Sequence, residues 1–236
     1  MPNRTDPVFP GRCLRILLTV LIPAILFFSP DIAADDDLPL LKGPYLGQTP
    51  PGEEPELFGR GTISVSKEHG APAFSPGGDE VFWCSLRDGD KMRVFHMKIE
   101  DGAWSRPEKV FNGANPFFSV DGNRLYYVSK GMFGSRDLKF RERSGTDWSR
   151  ARDLGSPFDS DMMMWNPAIA ADGTIYFVTL DESHRYHIYR SGMSAGEYSP
   201  PEELGGGLVG QGPCIAPDES YLIFGSMRAG GFGRED

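Results

Sequence analysis

The sequence predicts an all-β fold built from repeats. A module consisting of a Pro-led apolar stretch, an Asp-Gly-type turn, a second apolar stretch and an aromatic–Ser pair is written three times and begun a fourth time. The apolar stretches are short, rich in aromatic and β-branched residues, and bounded by Gly, Pro, Asp and Ser, which is typical of strands. The modules recur after 44, 51 and 46 residues, and four strands in about 45 residues is the period of a propeller blade. We therefore predict a β-propeller of four-stranded antiparallel blades.

The elements of each module follow in a fixed order. A proline opens the inner strand, and a tight turn leads to the second strand, because Gly accepts a positive φ there. An apolar residue anchors the third strand 21 or 22 residues after the proline, and the aromatic residue follows 10 residues later. Only the connection to the next module varies in length, as expected where stacked neighbours must match in shape but their connections need not. The modules open at Pro72, Pro116, Pro167 and Pro213, the second strands cover 81–83, 125–127, 175–177 and 222–224, the third strands are anchored at Val94, Leu138 and Ile188, and the aromatic residues are Trp104, Trp148 and Tyr198.

The module openings carry the signature Pro-x-aromatic-Ser-Pro-Asp-Gly in variant form. This signature resembles the WD-like repeat, of the PD40 type, found in exported bacterial proteins such as the propeller domain of the Tol-system periplasmic translocation protein. The resemblance covers roughly residues 57–236. It implies a propeller that serves as a binding platform, as a sensor domain or, in some members, as a lyase. Two turns depart from the signature, since Gly77 replaces the usual turn Asp and Glu219 the usual turn Gly.

The chain divides into three predicted regions. Residues 1–34 contain three Arg before a 13-residue apolar run at 16–28, followed by small residues, which is the pattern of a secretory signal peptide. The run is shorter than the roughly 20 residues that span a bilayer, so a signal is favoured over an uncleaved anchor. We expect no stable membrane span after cleavage and a periplasmic or secreted location in a bacterium. Residues 35–56, rich in Asp, Pro and Gly, predict a flexible tether, and residues 57–236 predict the propeller domain.

The fourth predicted blade is incomplete. Segment 231–236 resembles 133–137, which leads directly into the third strand of the second module. An unclosed ring would expose strand edges that promote aggregation. We therefore expect three complete blades plus a partial fourth, as in a truncated six-bladed propeller. The alternative is a compact four-bladed ring that uses a strand predicted at 61–65.

Composition restricts the partners and the state of the cysteines. A formal net charge of -9 disfavours nucleic acid and anionic membrane surfaces as partners. Two cysteines, Cys84 and Cys214, lie beyond the predicted signal peptide. An oxidising compartment permits a disulfide, but the two occupy non-equivalent places in their modules. Buried free thiols are therefore favoured.

Three local patterns resemble catalytic or metal-binding motifs. Residues 192–196 match G-x-S-x-G around Ser194, but a nucleophile elbow needs a helix after the serine, and the repeat predicts a hairpin there. Residues 205–210 fit G-x-G-x-x-G, yet a strand follows where a dinucleotide site needs a helix. His184 and His187 are three residues apart, and on a strand this spacing directs their rings to opposite faces. We expect no catalytic residues, no metal and no cofactor.

The longest connection between modules is the strongest candidate for a binding surface. It covers 159–166 and joins an outer strand to the next inner strand, where propeller loops surround the central channel. Flexible Met side chains beside an aromatic residue are typical of adaptable contact surfaces. The alternative is that the Met cluster fills the gap between blades. The expected partner-binding residues are Asp159, Asp161, Met163, Trp165, Arg185 and Tyr186.

Three functions follow from these patterns. The favoured one is an exported, non-enzymatic platform that binds a protein or glycan partner in the periplasm or the extracellular space, because no positioned nucleophile–base or metal set is present. A hydrolase or lyase with its site at the channel mouth is the first alternative. A small-ligand sensing or uptake module is the second.

Overall fold

The described part of the chain is almost entirely β-structure. The computed structural model describes residues 40–50, 52–65, 68–86, 91–130, 136–158, 164–181, 183–205 and 209–226, without the side chains of Lys130 and Arg136. All of them belong to one compact unit, 37–236. Apart from a 3-10 turn at Pro44–Gly47, every regular element in these ranges is a strand, and neighbouring strands pair antiparallel. The predicted all-β, antiparallel architecture is confirmed.

The strands form four sheets in chain order, one for each module. The first contains β1 (Ala73–Phe74), β2 (Glu80–Ser85), β3 (Arg93–Glu100), β4 (Ala103–Trp104) and β5 (Glu108–Asn112). The second contains β6 (Ala114–Phe118), β7 (Arg124–Lys130), β8 (Arg136–Ser144), β9 (Asp147–Trp148) and β10 (Arg152–Asp153). The third contains β11 (Trp165–Ile169), β12 (Ile175–Leu180), β13 (Tyr186–Ser191) and β16 (Glu202–Glu203), with a hairpin of β14 (Met193–Ser194) and β15 (Glu197–Tyr198) between the last two. The fourth contains β17 (Gln211–Ile215) and β18 (Leu222–Gly225).

The order within the sheets repeats from module to module. The first three sheets have the main paths β1-β2-β3-β5, β6-β7-β8-β10 and β11-β12-β13-β16. The first strands of successive sheets contact one another, β1 with β6, β6 with β11, and β11 with β17. Sheets that radiate from a shared set of inner strands are the arrangement of propeller blades. The described sheets do not close into a ring.

The hydrophobic core lies between successive sheets. Strand β2 is buried along its whole length, as a strand with consecutive apolar residues must be when both its faces are covered. Phe82 and Val94 of the first sheet pack with Leu125 of the second. Tyr126 of the second sheet packs in one cluster with Phe177 of the third. Full burial of such side chains stabilises by roughly 1.5–3 kcal/mol each, so this packing holds each sheet to its neighbour.

The aromatic–Ser pairs occupy equivalent positions, as predicted. Trp104, Trp148 and Tyr198 each end a two-residue strand that folds back on the preceding one. The serine that follows closes the same two hydrogen bonds in every module. Its amide donates to a carbonyl at 2.8–2.9 Å, and its hydroxyl accepts from the amide of that same residue at 3.0–3.1 Å. The pairs are Ser105 with Lys98, Ser149 with Glu142, and Ser199 with Gly192.

The strand predicted at 61–65 was wrong. The carbonyl oxygen of Gly59 accepts hydrogen bonds from the amides of residues 62, 63 and 64, at 3.0, 2.8 and 3.1 Å. Gly59 and Gly61 both adopt positive φ, 58° and 79°, which closes the chain into a compact turn. Ile63 is buried by this turn against the first sheet, so its apolar character reflects core packing and not strand pairing.

Part of the segment expected to be a tether also packs against the first sheet. The backbone amide of Trp104 donates to the carbonyl of Leu41 at 2.9 Å, and the indole N–H of Trp104 donates to the carbonyl of Gly43 at 2.8 Å. Leu46 is buried in the same hydrophobic cluster as Trp104. Composition alone does not predict these contacts, because they join Trp104 to carbonyl groups more than 60 residues earlier in the sequence.

Both described cysteines are free thiols. Cys84 lies within the fully buried strand β2, as expected. Cys214 is exposed, contrary to expectation, because it borders an open cavity at the start of the inner strands. Cys84 lines the same cavity.

Candidate functional site

A cleft of about 720 Å³ opens where the inner strands β6, β11 and β17 begin. We refer to it as the inner-strand cleft. The first sheet contributes 68–71, Cys84 and Met92 to its lining, the second contributes 114–116, the third contributes 165–167 and Tyr186, and the fourth contributes 211–214. Equivalent positions of successive modules therefore meet in one cavity, and its volume is within the range of ligand pockets.

The backbone at the mouth of the cleft is bulged in the same way in three modules. The residue directly before the module proline has a positive φ, which is 49° at Asn115, 44° at Asn166 and 63° at Gly212. The pairing register of β6, β11 and β17 shifts at the same place. A residue in the left-handed region followed by a register shift is a β-bulge, and bulges re-aim side chains at the ends of strands. The inner strands thus turn their first side chains toward the cleft.

Two of the predicted binding residues come together in the cleft. Trp165 begins β11 and Tyr186 begins β13, and both half-buried side chains line the cavity. Arg185 does not line it, because its guanidinium is directed to Asp181, with Nε and Nη2 at 3.0 and 2.9 Å from Oδ2. The other three predicted residues, Asp159, Asp161 and Met163, lie outside the described residues.

The sequence analysis missed the amide side chains of the site. Asn115, Asn166 and Gln211 line the cleft, and no hydrogen bond of their side chains occurs within the described ranges. One signal could have found the first two, since Asn-Pro occurs at the opening of both the second and third modules. The positive φ that makes this dipeptide informative is a property of the folded bulge.

Cys84 is held in the wall of the cleft as a neutral thiol. Its Sγ accepts the backbone N–H of Asn115 at 3.3 Å, and burial raises the pKa of the Cys84 thiol. A cysteine nucleophile requires a depressed pKa, so this thiol is not activated. Gly70 completes the wall, because a Cβ added there would lie 2.6 Å from the Cys84 Sγ.

A histidine between two carboxylates braces the strand that carries Tyr186. The Nδ1 of His187 lies 2.7 Å from Oε1 of Glu203, and its Nε2 lies 3.0 Å from Oδ2 of Asp181. Hydrogen bonds to Glu203 and then to Asp181 raise the pKa of His187, which favours the imidazolium that donates to both. His184 instead lies exposed in a turn, with φ at 59°. The two histidines do not form a metal pair, and the described residues contain no cluster of three or more candidate metal ligands.

The G-x-S-x-G segment has the geometry of a simple hairpin. Ser194 ends β14 and pairs with Glu197 of β15, so no helix follows the serine. The exposed Ser194 hydroxyl has no hydrogen-bonded base in the part of the chain that the structure describes. A serine without a base within hydrogen-bond reach lacks the activation that nucleophilic catalysis needs.

Comparison with known proteins identifies the fold. No protein-family model matches the chain, and no curated protein matches it. TolB from Acinetobacter baumannii superposes with a TM-score of 0.51 at 17% identity, covering 72% of this chain and 40% of TolB. A protein assigned as TolB from Agrobacterium tumefaciens gives the same TM-score at 20% identity, covering 70% of this chain and 56% of its own. The fold is propeller-like.

These similarities support the fold alone. At 17 and 20% identity, a shared scaffold does not carry a shared function. The chain spans about half the length of the two TolB structures. Separately, none of the helical structure in the described ranges is long and apolar enough to cross a membrane.

Proposed function

We propose that this chain is an exported, non-enzymatic propeller that binds a protein or glycan partner through the inner-strand cleft and the loops beside it. The observation that carries the proposal is the placement of Trp165 and Tyr186. Both line the cleft, and neither belongs to the three hydrophobic clusters that hold the sheets together. A cavity bordered by two large aromatic side chains suits contact with a partner.

The other tryptophans show what a structural role looks like in this protein. Trp83 and Trp104 are 1% and 2% exposed and lie inside one core cluster. Trp148 packs on Phe82 and Phe118 between the first two sheets. Trp165 alone among the four lines the cleft. Trp and Tyr are the residues most often found as binding anchors in desolvated pockets, which supports a role for Trp165 in recognition.

The chemistry of the site favours binding over catalysis. The Cys84 thiol has a raised pKa, and the Ser194 hydroxyl has no hydrogen-bonded base in the described ranges. A hydrolase or lyase would need a nucleophile or base matched to its task. Trp165 and Tyr186 suit binding instead, because they lie beside loops on a rigid scaffold and line the cleft.

The proposed location outside the cytoplasm follows from residues 1–34. Their pattern of Arg, a short apolar run and small residues supports cleavage and export. The expected partners are therefore proteins or glycans of the cell envelope or the medium, and the acidic chain makes nucleic acid an unfavourable ligand.

Paired aromatic and serine substitutions test this function. Trp165→Ala and Tyr186→Ala should each weaken retention of an envelope partner by about 1–3 kcal/mol, the range of an interface anchor, measured as dissociation constants for partners captured on the immobilised mature chain. Ser194→Ala is the matched control and should leave retention unchanged. The unfolding curve of Ser194→Ala should overlay that of the wild type within about 0.5 kcal/mol, as for an exposed position, and both aromatic variants should remain folded, because neither side chain belongs to the three hydrophobic clusters.

The opposite pattern would overturn the proposal. Hydrolysis of an ester, amide or glycosidic probe by the wild-type chain that disappears in Ser194→Ala, together with silent aromatic variants, would require the enzymatic alternative. Equal retention by the wild-type chain and both aromatic variants would remove the cleft from the function.

A further inference from the structure

The two asparagines of the cleft occupy a backbone conformation that side chains rarely adopt. Asn115 and Asn166 have φ values of 49° and 44°, and the equivalent residue of the fourth module is Gly212 at 63°. The left-handed region is unfavourable for most residues, and only Gly, with Asn and Asp, visits it routinely. The bulge by itself would be served best by Gly. Asn at two of the three positions therefore adds a side chain that the backbone conformation does not require.

What Asn adds is a carboxamide that none of the described residues engages. Neither side-chain amide has a hydrogen-bond partner within the described ranges, and both border the cavity. The Oδ1 of Asn115 lies beside Gly70, where an added Cβ would be 3.5 Å from it. Strained residues retained in this way are found at ligand-binding sites. Each amide can donate two hydrogen bonds and accept two.

We propose that Asn115 and Asn166 are repeat-related ligand-contacting residues and that their ligand is an uncharged oligosaccharide. This inference rests on the binding function proposed above. A carboxamide matches groups that both donate and accept, such as sugar hydroxyl and acetamido groups. Trp165 and Tyr186 supply aromatic faces in the same cavity. Among the described residues that line the cleft, Glu68 is the one charged side chain and it is exposed, so this described lining offers no buried countercharge for an ionic ligand.

The bulges disfavour an extended peptide at this place. The inner strands β6, β11 and β17 are edge strands of their sheets, and a regular edge can accept another strand. At the cleft, however, the register of each edge shifts, and the amide of Asn115 is already engaged by the Cys84 Sγ. An added peptide strand would need a continuous row of free backbone N–H and C=O groups. The cavity presents side-chain amides and aromatic rings at this place instead.

Glycine substitutions isolate the amides without straining the backbone. Asn115→Gly and Asn166→Gly convert both positions to the residue that the fourth module already contains. Ala195→Gly is the matched control, because Ala195 is a positive-φ residue (52°) in the exposed hairpin of β14 and β15. Asn115→Asp and Asn166→Asp, which tolerate the same φ, serve as second variants if the glycine forms are poorly folded.

The test measures binding of chitotetraose and cellotetraose to the mature chain by calorimetry and by tryptophan fluorescence. We expect saturable binding of at least one tetrasaccharide, weakened about tenfold or more in the double glycine variant, as expected for the loss of two or more hydrogen bonds, and unchanged in Ala195→Gly. Binding of neither sugar would overturn the inference, as would binding that the glycine and aspartate variants leave unchanged. Asn-dependent binding of an unstructured neutral peptide without sugar binding would overturn the inference, because the ligand would then be a peptide and not an oligosaccharide. Trp165-dependent partner retention in the absence of sugar binding would leave the proposed function standing while this inference fails.

Discussion

Replacement of Glu80 by Gln should destabilise the contact between the first and second sheets. Glu80 is 6% exposed. Its Oε2 lies 2.5 Å from Nη2 of Arg143 on the second sheet, and its Oε1 lies 3.3 Å from Nε2 of His96 on its own sheet. Arg143 also stacks over Trp148 at 4.2 Å. Removing one partner of a buried pair leaves the other charge uncompensated.

The magnitude follows from the acidity of this carboxyl. Burial alone raises the pKa of Glu80, but its close contacts with His96 and Arg143 outweigh burial and lower the pKa from 4.5 to about 2. A shift of this size corresponds to about 3 kcal/mol. Because the Arg143 side chain is 26% exposed, water compensates part of the loss. We expect Glu80→Gln to lower the free energy of unfolding by about 2–3 kcal/mol at pH 7.

Urea unfolding as a function of pH tests the electrostatic origin of this effect. The folded-state pKa of Glu80 is depressed, so its contribution is fully present above pH 4.5 and is lost as the pH falls toward 2. The difference between wild type and Glu80→Gln should therefore shrink across this window. Glu100→Gln is the control, because the Glu100–Lys98 pair at 3.0 Å is exposed and solvent screening leaves such a pair little effect on stability. A Glu80→Gln effect as small as the control, or one that does not change with pH, would refute the reasoning.

Three further predictions use other features of the chain. Gly113→Ala should destabilise by about 1–3 kcal/mol, because the new Cβ would lie 2.7 Å from the Tyr127 ring, whereas Gly52→Ala, with open space around it, should be neutral in the same unfolding assay. Since the pKa of His187 is raised, its stabilising contribution should be complete below about pH 6.5 and lost as the pH rises through the folded-state value; an NMR titration that finds this ring neutral at pH 6 would contradict the proposed ion pairs. Mass spectrometry of exported protein should find a mature N-terminus near Asp35, and recovery of the apolar run 16–28 in that material would disprove cleavage.

The sequence contained enough to predict the repeat but not the site. Strand order, the module openings and the equivalence of Trp104 with Trp148 depend on short-range patterns, which a single sequence records. Trp165 and Tyr186 were expected to lie close together beside variable loops, and they line one cleft, but their role in binding stays a prediction. The asparagine pair leaves only the repeated Asn-Pro as a signal in the sequence, because the positive φ that marks the two residues arises in the folded bulge.

The remaining differences arise where distant residues compete with local preference. The segment 61–65 alternates apolar and polar residues as a strand does. In the structure, however, the carbonyl of Gly59 accepts hydrogen bonds from three of its amides, and Ile63 is buried in a core cluster. The contacts of Leu41 and Gly43 with Trp104 depend equally on tertiary structure. Such contacts are decided by which groups meet after the sheets have formed, and a local pattern does not contain that information.

The bulge before the proline of the second, third and fourth modules gives this scaffold a way to change what it recognises while its sheets stay the same. Its positive φ is accepted by few residue types. Of these, Gly offers a ligand no side chain, Asn offers a neutral amide and Asp offers an anionic carboxylate. This chain uses Asn, Asn and Gly at the three positions. A single substitution at one of them would switch the local chemistry from neutral to anionic, or to none, without a new backbone. The mouth of the cleft can therefore diversify one module at a time, independently of the packing that keeps the sheets together.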